Sequence, residues 1–283
     1  MKWSKWYHSP VNDAANISLP TPPRPSSRDR IYRTEAIVLS RFDMGETDRV
    51  FTLLTSDHGK IRAIAKGARR PTSKLAPSLD YFNRCRMMLS RGRDLDVITS
   101  VDVLERREAL GERVSAFSHA CHLAEVTSRL VPEGQDVPEV YRLLSAALSE
   151  LEREREPWIL ARWYEMALLA VTGYRLDLYR CAACGNELIA EPNMLATRTG
   201  GVLCPNCWSS EPSGRVMSVN VQKVLRSLDR NGMGEVGRIT IDPSLAAEIE
   251  GILALYMRSI AERDFTSLKV LREIREAAPQ FEV

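Results

Sequence analysis

Long apolar runs are missing from this sequence. No segment approaches the ~18 apolar residues that a membrane-spanning helix needs, and the first 30 residues lack the apolar core of a secretory signal. A cytoplasmic location is the expectation that follows. Nucleotide-driven chemistry finds no support either: Gly59-Lys60 is followed by Ile61, with no matching glycine upstream to make a GxxxxGKS/T phosphate loop. No dinucleotide fingerprint, GxSxG elbow or HExxH helix occurs. Histidine is scarce, and although His119 and His122 share a helix face at i, i+3, no carboxylate cluster lies near them in sequence to complete a metal site. Nothing here predicts an enzyme.

Net charge is also nearly absent, at +2, but its distribution is lopsided. Residues 1–108 hold 20 Lys and Arg against 13 Asp and Glu, whereas residues 109–283 hold 19 against 24. A basic module on a mildly acidic body is what polyanion binding confined to one domain would look like, and nucleic acid is the commonest such partner.

The first 30 residues, rich in Pro and Ser and without hydrophobic period, read as a disordered extension from which no function is drawn. From Ile31 to Glu108 the pattern is that of short strands: TEAIVLSRF, DRVFTLLTS, KIRAIAK, RCRMMLS and LDVITSVDVL, joined by turns such as DHGK and RGRD. Five short strands suit a small closed barrel, with the oligonucleotide-binding (OB) barrel first and an SH3-like barrel second. Beyond Leu110 the period becomes helical. Pro157 suits a first helical turn and Gly173 an end, Ser218 reads as an N-cap, and Asp242-Pro243 as cap and first turn. The acidic-basic alternation from Glu150 to Glu156 reads as a solvated helix face. The expected class is therefore α+β and multidomain: a barrel over 31–108, then a helical bundle over 109–178 and 215–283, with an insert at 179–214.

That insert carries Cys181, Cys184, Cys204 and Cys207 in a C-x2-C-x19-C-x2-C arrangement. Two such knuckles supply four thiolates that close tetrahedrally on zinc, and Gly185 lets backbone amides of the first turn face the sulfurs. One structural Zn2+ in a four-cysteine ribbon is expected, since four thiolates leave no coordination position open for a reactive water. Cys85 and Cys121 read as small buried apolar groups.

The stretch HGKIRAIAKGARR, from His58, holds five cations and no acid. With period two, Ile61, Ala63 and Ala65 face one way and Lys60, Arg62 and Lys66 the other. A solvated edge strand would carry the same pattern. Read as a phosphate-binding face, it comprises Lys60, Arg62, Lys66, Arg69, Arg70 and Lys74, extended by Arg91 and Arg93 at the RGRD turn. Tyr81 and Phe82 are read equally as base-stacking groups or core.

Several segments together resemble the RecO family of bacterial recombination mediators. They are GETDR at 45–49, LLT before HGK, AKGARR at 65–70, LVPE at 130–133, RWYEMALL at 162–169, Gly173-Tyr174 and the cysteine pairs. The likeness runs from Ile31 onward and is to the zinc-binding branch. It implies an N-terminal OB barrel, a helical C-terminal domain and an inserted zinc ribbon. It further implies binding of single- and double-stranded DNA, annealing of complementary strands, and action with RecR, and often RecF, to load RecA on strands coated by single-strand-binding protein. A cytoplasmic, nucleoid-associated place follows from that role. The segment before Ile31 departs from the family pattern. A zinc-ribbon factor acting on RNA or in transcription is the competing reading.

Overall fold

The computed structural model describes residues 30–153, 157–233 and 241–277. The extension expected to be disordered, up to residue 29, lies outside the described residues.

Five strands close into a barrel: β1 (Ile31–Met44), β2 (Asp48–Thr55), β3 (Lys60–Ala65), β4 (Arg84–Ser90) and β5 (Asp96–Glu105), in the order β1-β2-β3-β5-β4. Every pair is antiparallel except β3–β5, which runs parallel with Ala63 beside Asp96 and Ile64 beside Val97. That order, sealed by β4 on β1, is the OB arrangement and decides against the SH3-like alternative. Alternation fills the interior with Ala36, Val38, Phe51, Leu53, Ala63, Ala65, Cys85, Met87 and Leu89. In β1 the alternation is broken by a bulge between Val38 and Ser40. The residues beyond it change sides, as an inserted residue requires.

The second core begins on the outside of the barrel. Ile37, Leu39 and Leu54 point away from the barrel interior and join one continuous apolar cluster with the helical body. Among the described residues that body comprises α1 (Glu108–Gly111), α2 (Val114–Leu130), α3 (Pro138–Leu151), α4 (Pro157–Val171), α5 (Val219–Arg230), α6 (Pro243–Ala261) and α7 (Thr266–Ala277). Helix α2 packs on α3, α4 and α7 and also reaches β1. The capping signals act as expected: Ser218 accepts from the Val221 amide, and Asp242 from the amides of Ser244 and Leu245. Helix α6 ends where Glu262 adopts a left-handed conformation (φ 54°).

One charge assignment changes. Glu152, read as part of a solvated face, instead pairs with Arg107 at 2.7 Å, where the end of the barrel meets α3; residues 154–156 lie outside the described residues. His119 and His122 are both buried. His119 faces the Ser115 carbonyl at 2.7 Å, while His122 sits between Ser267 Oγ at 2.8 Å and Glu165 at 2.5 Å. Arg162 holds Glu165 at 2.7 Å, and Glu250 collects Arg272 and Arg275 from α7 at 2.7 and 2.6 Å. This network fastens α7 to the body.

Between α4 and α5 lies a three-stranded sheet ordered β7-β6-β8, from β6 (Asn193–Ala196), β7 (Gly201–Leu203) and β8 (Arg215–Met217). Leu195, Val202, Leu203 and Met217 merge into the body core. The ribbon is therefore fixed to the bundle.

Candidate nucleic-acid interface and metal centre

Phe51 and Leu53 fill the barrel interior, so their neighbours Val50, Thr52 and Leu54 face outward. The registers extend these into rows across three strands: Ser40, Thr52 and Arg62 in one, and Phe42, Val50 and Ile64 in the next. The half of this surface around Ile37 and Leu54 is covered by the helical body. The other half is open. Phe42 and Met44 are each 49% exposed there, whereas Val50, lying between Phe42 and Ile64, is 0% exposed.

The turn after β3 is tied to the β1–β2 turn, whose Gly45 takes φ +61°. The Gly67 amide donates to Asp48 at 2.8 Å and the Arg69 amide to the Thr47 carbonyl at 2.9 Å. The Arg69 side chain donates to the Gly45 carbonyl at 2.9 Å and pairs with Asp43 at 3.1 Å. Arg49 shares that carboxylate at 2.8 Å and, more than any other neighbour, holds Asp43 below the usual carboxylate range. Arg69, expected as a phosphate ligand, thus braces one turn against the other.

Lys60 keeps its outward place in the strand, opposite Leu54, but the helical body covers it there. It is 9% exposed, its ammonium donates to the Ser128 carbonyl, and its own carbonyl accepts from Gly134 at 2.9 Å. Burial lowers its pKa, partly offset by Glu133. The neighbouring Gly59 is equally committed: its φ is +64°, and a Cβ there would stand 1.8 Å from the Gln135 carbonyl oxygen. The start of β3 is a docking point between barrel and body, invisible to local alternation because residues 128–135 provide the cover.

Arg62, Lys66, Arg70 and Lys74 are exposed and ion-paired to no described residue. Arg62 and Lys66 flank the open apolar row, and Arg70 lies in the braced turn. The RGRD turn comes alongside because Asp96, just beyond it, pairs with Ala63 of β3. Arg93 is exposed there, and Arg91 stands 4.8 Å over the Tyr32 ring. Of the two aromatics singled out in sequence, Phe82 is buried in the barrel–body seam with φ 64° and packs on Phe117 at 5.6 Å. Tyr81 is half-buried under the Arg41 guanidinium at 4.5 Å. The exposed ring is Phe42, which the sequence reading missed. Strict alternation from Ala36 and Val38 would have placed it inside, and only the bulge turns it out.

The four cysteines converge. Their sulfurs all lie within 4.8 Å of one another, none is in a disulfide, and Cys184 and Cys204 are 3.8 Å apart. Tetrahedral coordination with Zn–S bonds of ~2.3 Å places sulfurs ~3.8 Å apart, so the set fits that geometry. Gly185, at φ +75°, donates to the Cys181 carbonyl at 2.8 Å, and the Cys204 amide approaches Cys181 Sγ at 3.4 Å. Burial opposes ionisation of Cys181, but the amides of Cys184, Cys204 and Ala183 outweigh it and bring the thiol down to about 6. A thiolate ligand is thus prepared by the backbone. Gly201 completes the packing, since a Cβ there would meet Ala182 Cβ at 2.7 Å.

The described residues thus combine an OB barrel, whose open half-face carries exposed cations, with a helical body and a four-cysteine ribbon docked on it. Residues 30–107 match the family described as Recombination protein O N terminal, and residues 112–269 the one described as Recombination protein O C terminal. The chain is 38% identical over 249 residues to the DNA repair protein RecO of Roseiflexus sp. (strain RS-1), covering 88% of each chain. It is 35% identical over 243 residues to that of Desulforudis audaxviator (strain MP104C), covering 86% of this chain and 97% of the relative. To that of Geobacter sulfurreducens it is 33% identical over 243 residues, 86% of this chain and 98% of the relative. The chain belongs to the RecO family of DNA repair proteins. No helix among the described residues is long and apolar enough to cross a membrane.

Proposed function

We propose that this protein is a DNA-binding recombination mediator that anneals complementary strands without ATP. The observation that carries the reading is the open half of the β1–β2–β3 face, where strands 2 and 3 of an OB barrel and its adjoining turns bind oligonucleotides. Annealing requires two polyanions to be brought together by cations that neutralise phosphates without occupying the pairing edges of bases. Arg62, Lys66, Arg70, Lys74 and Arg93 supply such charges, and the β-sheet beneath holds those at its edges in fixed relation. The protein works as a binding and pairing factor rather than an enzyme. Cys181, Cys184, Cys204 and Cys207 hold one structural zinc, which supplies cross-linking of the ribbon and no hydrolytic chemistry.

The family resemblance supplies the partners: RecR, with RecF in some settings, single-strand-binding protein on the strand to be cleared, and RecA loaded afterwards on the nucleoid. The acidic, rigidly docked body suits partner contacts better than DNA contacts. The test is RecA filament formation on strands coated with single-strand-binding protein, with this protein and RecR added singly and together. Acceleration only when both are present is expected. No acceleration with both would overturn the loading role, and leave the ribbon-containing RNA or transcription factor to be tested on RNA.

A further inference from the structure

We propose that Phe42 is a stacking platform for an unpaired base and makes the barrel face selective for single strands. The inference deepens the DNA-binding reading and rests on it. Phe42 lies in a regular strand, in register with Val50 and through it with Ile64. Its ring is half exposed, while Val50 beside it is fully covered. An apolar floor under an exposed ring gives a flat, desolvated surface in a fixed place, with no rotamer-rich side chain to be ordered on binding. Met44, two residues on and equally exposed, extends the apolar surface toward the turn.

A single exposed phenylalanine is ordinary on a protein surface. The charges around this one give it a meaning. Arg62 stands in the row on one side, Lys66 follows the end of β3 on the other, and Arg70 occupies the turn beyond. No carboxylate stands in the Phe42 row itself; Asp43 beside it is engaged by Arg49 and Arg69, and Asp48 by the Gly67 amide and Thr47, with Lys66 and Arg70 near it. The occupant that complements an aromatic face between cations is a chain that alternates phosphates with flat π-systems. Single-stranded nucleic acid is such a chain, and base–aromatic stacking is tolerant of sequence. A duplex presents phosphates to the same cations but keeps its base faces stacked internally, so it gains nothing from the ring. Selectivity for unpaired strands then resides in Phe42 and general affinity in the cations.

The experiment uses the full-length protein in an anisotropy titration at fixed salt. The probes are oligo(dT), an abasic oligonucleotide of equal length and a duplex of equal length. Phe42→Ala should weaken oligo(dT) binding by about 5- to 150-fold, the range for loss of one stacked base. Phe42→Tyr should restore it. The parent should bind the abasic strand about as weakly as Phe42→Ala binds oligo(dT), with the salt slope unchanged by either Phe42 substitution. Unchanged oligo(dT) binding in Phe42→Ala, equal losses on strand and duplex, or a parent indifferent to the absence of bases would each overturn the platform. A parent that binds none of the three probes would overturn the DNA-binding reading itself, a separable failure.

Discussion

Charge reversal of Lys66 and Arg70 probes the cationic half-face at two exposed cations that lie near Asp48 without an ion pair to it. Of the eight cations that sequence placed on this surface, Lys60 is spent on the body, Arg69 on the turn brace and Arg91 on the Tyr32 ring. Five remain, and if each meets one phosphate the log–log salt slope for a single strand is about −3.5. Lys66→Glu with Arg70→Glu removes two contacts and moves the slope to about −2. Extrapolated from a common value at 1 M salt, that difference is about 25-fold in affinity at 0.1 M, near 1.9 kcal/mol. The introduced acids repel phosphate as well, so the loss should not be smaller. Both positions are exposed, and thermal stability should hold. The assay is anisotropy on oligo(dT) across a salt titration, repeated with a second sequence, because phosphate contacts weaken all sequences alike. A double variant with the parent's slope and affinity would reduce the basic face to a solubilising edge.

Acid should loosen the helical body. Burial pushes His119 down to about 3 from an ordinary 6.5, against its bond to the Ser115 carbonyl; at Glu250 burial opposes ionisation, but Arg162, Arg272 and Arg275 bring it down to about 2 from 4.5. Both folded values lie below the unfolded ones, so both groups stabilise the fold at neutral pH and lose that contribution as pH falls, His119 from about 6.5 and Glu250 from about 4.5. The slope is up to about 1.4 kcal/mol per pH unit per group. A urea midpoint that stays flat from pH 7 to pH 3 would refute this. Gly59→Ala should destabilise by more than the about 1–2 kcal/mol of a left-handed alanine, since its Cβ also meets the Gln135 carbonyl; a thermal midpoint equal to the parent's would show that the barrel does not dock there. Cys204→Ser should drop zinc well below one per chain and lower the thermal midpoint, read by metal analysis and calorimetry, and disulfides at these positions in the purified parent would contradict the assignment.

Features set by local period and spacing were legible before the structure. Alternation marked all five strands, the two CxxC pairs marked a site whose sulfurs do converge, and Ser218 and Asp242 announced their helices. What escaped depended on distant chain or on a local irregularity. Lys60 follows the alternation of its strand, and its burial comes from the segment after α2. Arg69 looks like its neighbours, but a turn more than twenty residues upstream captures it. Phe42 was hidden by the β1 bulge, since bulges carry no residue signature in Val38-Leu39-Ser40.

Lys60 and the neighbouring Gly59 fix the barrel to the body, and the ribbon strands merge into the body core, so the candidate nucleic-acid face and the ribbon share one framework. An isolated barrel would expose Ile37, Leu39 and Leu54, and its behaviour would report that exposure as much as DNA binding.

The most direct test is the annealing rate of two bare complementary oligonucleotides, without ATP, in the presence of the full-length protein and of its Lys66→Glu, Arg70→Glu variant. The parent should accelerate pairing well above the spontaneous rate, and the variant should fall back toward it at physiological salt. A parent that leaves the rate unchanged, or that works only when ATP is hydrolysed, would contradict the account.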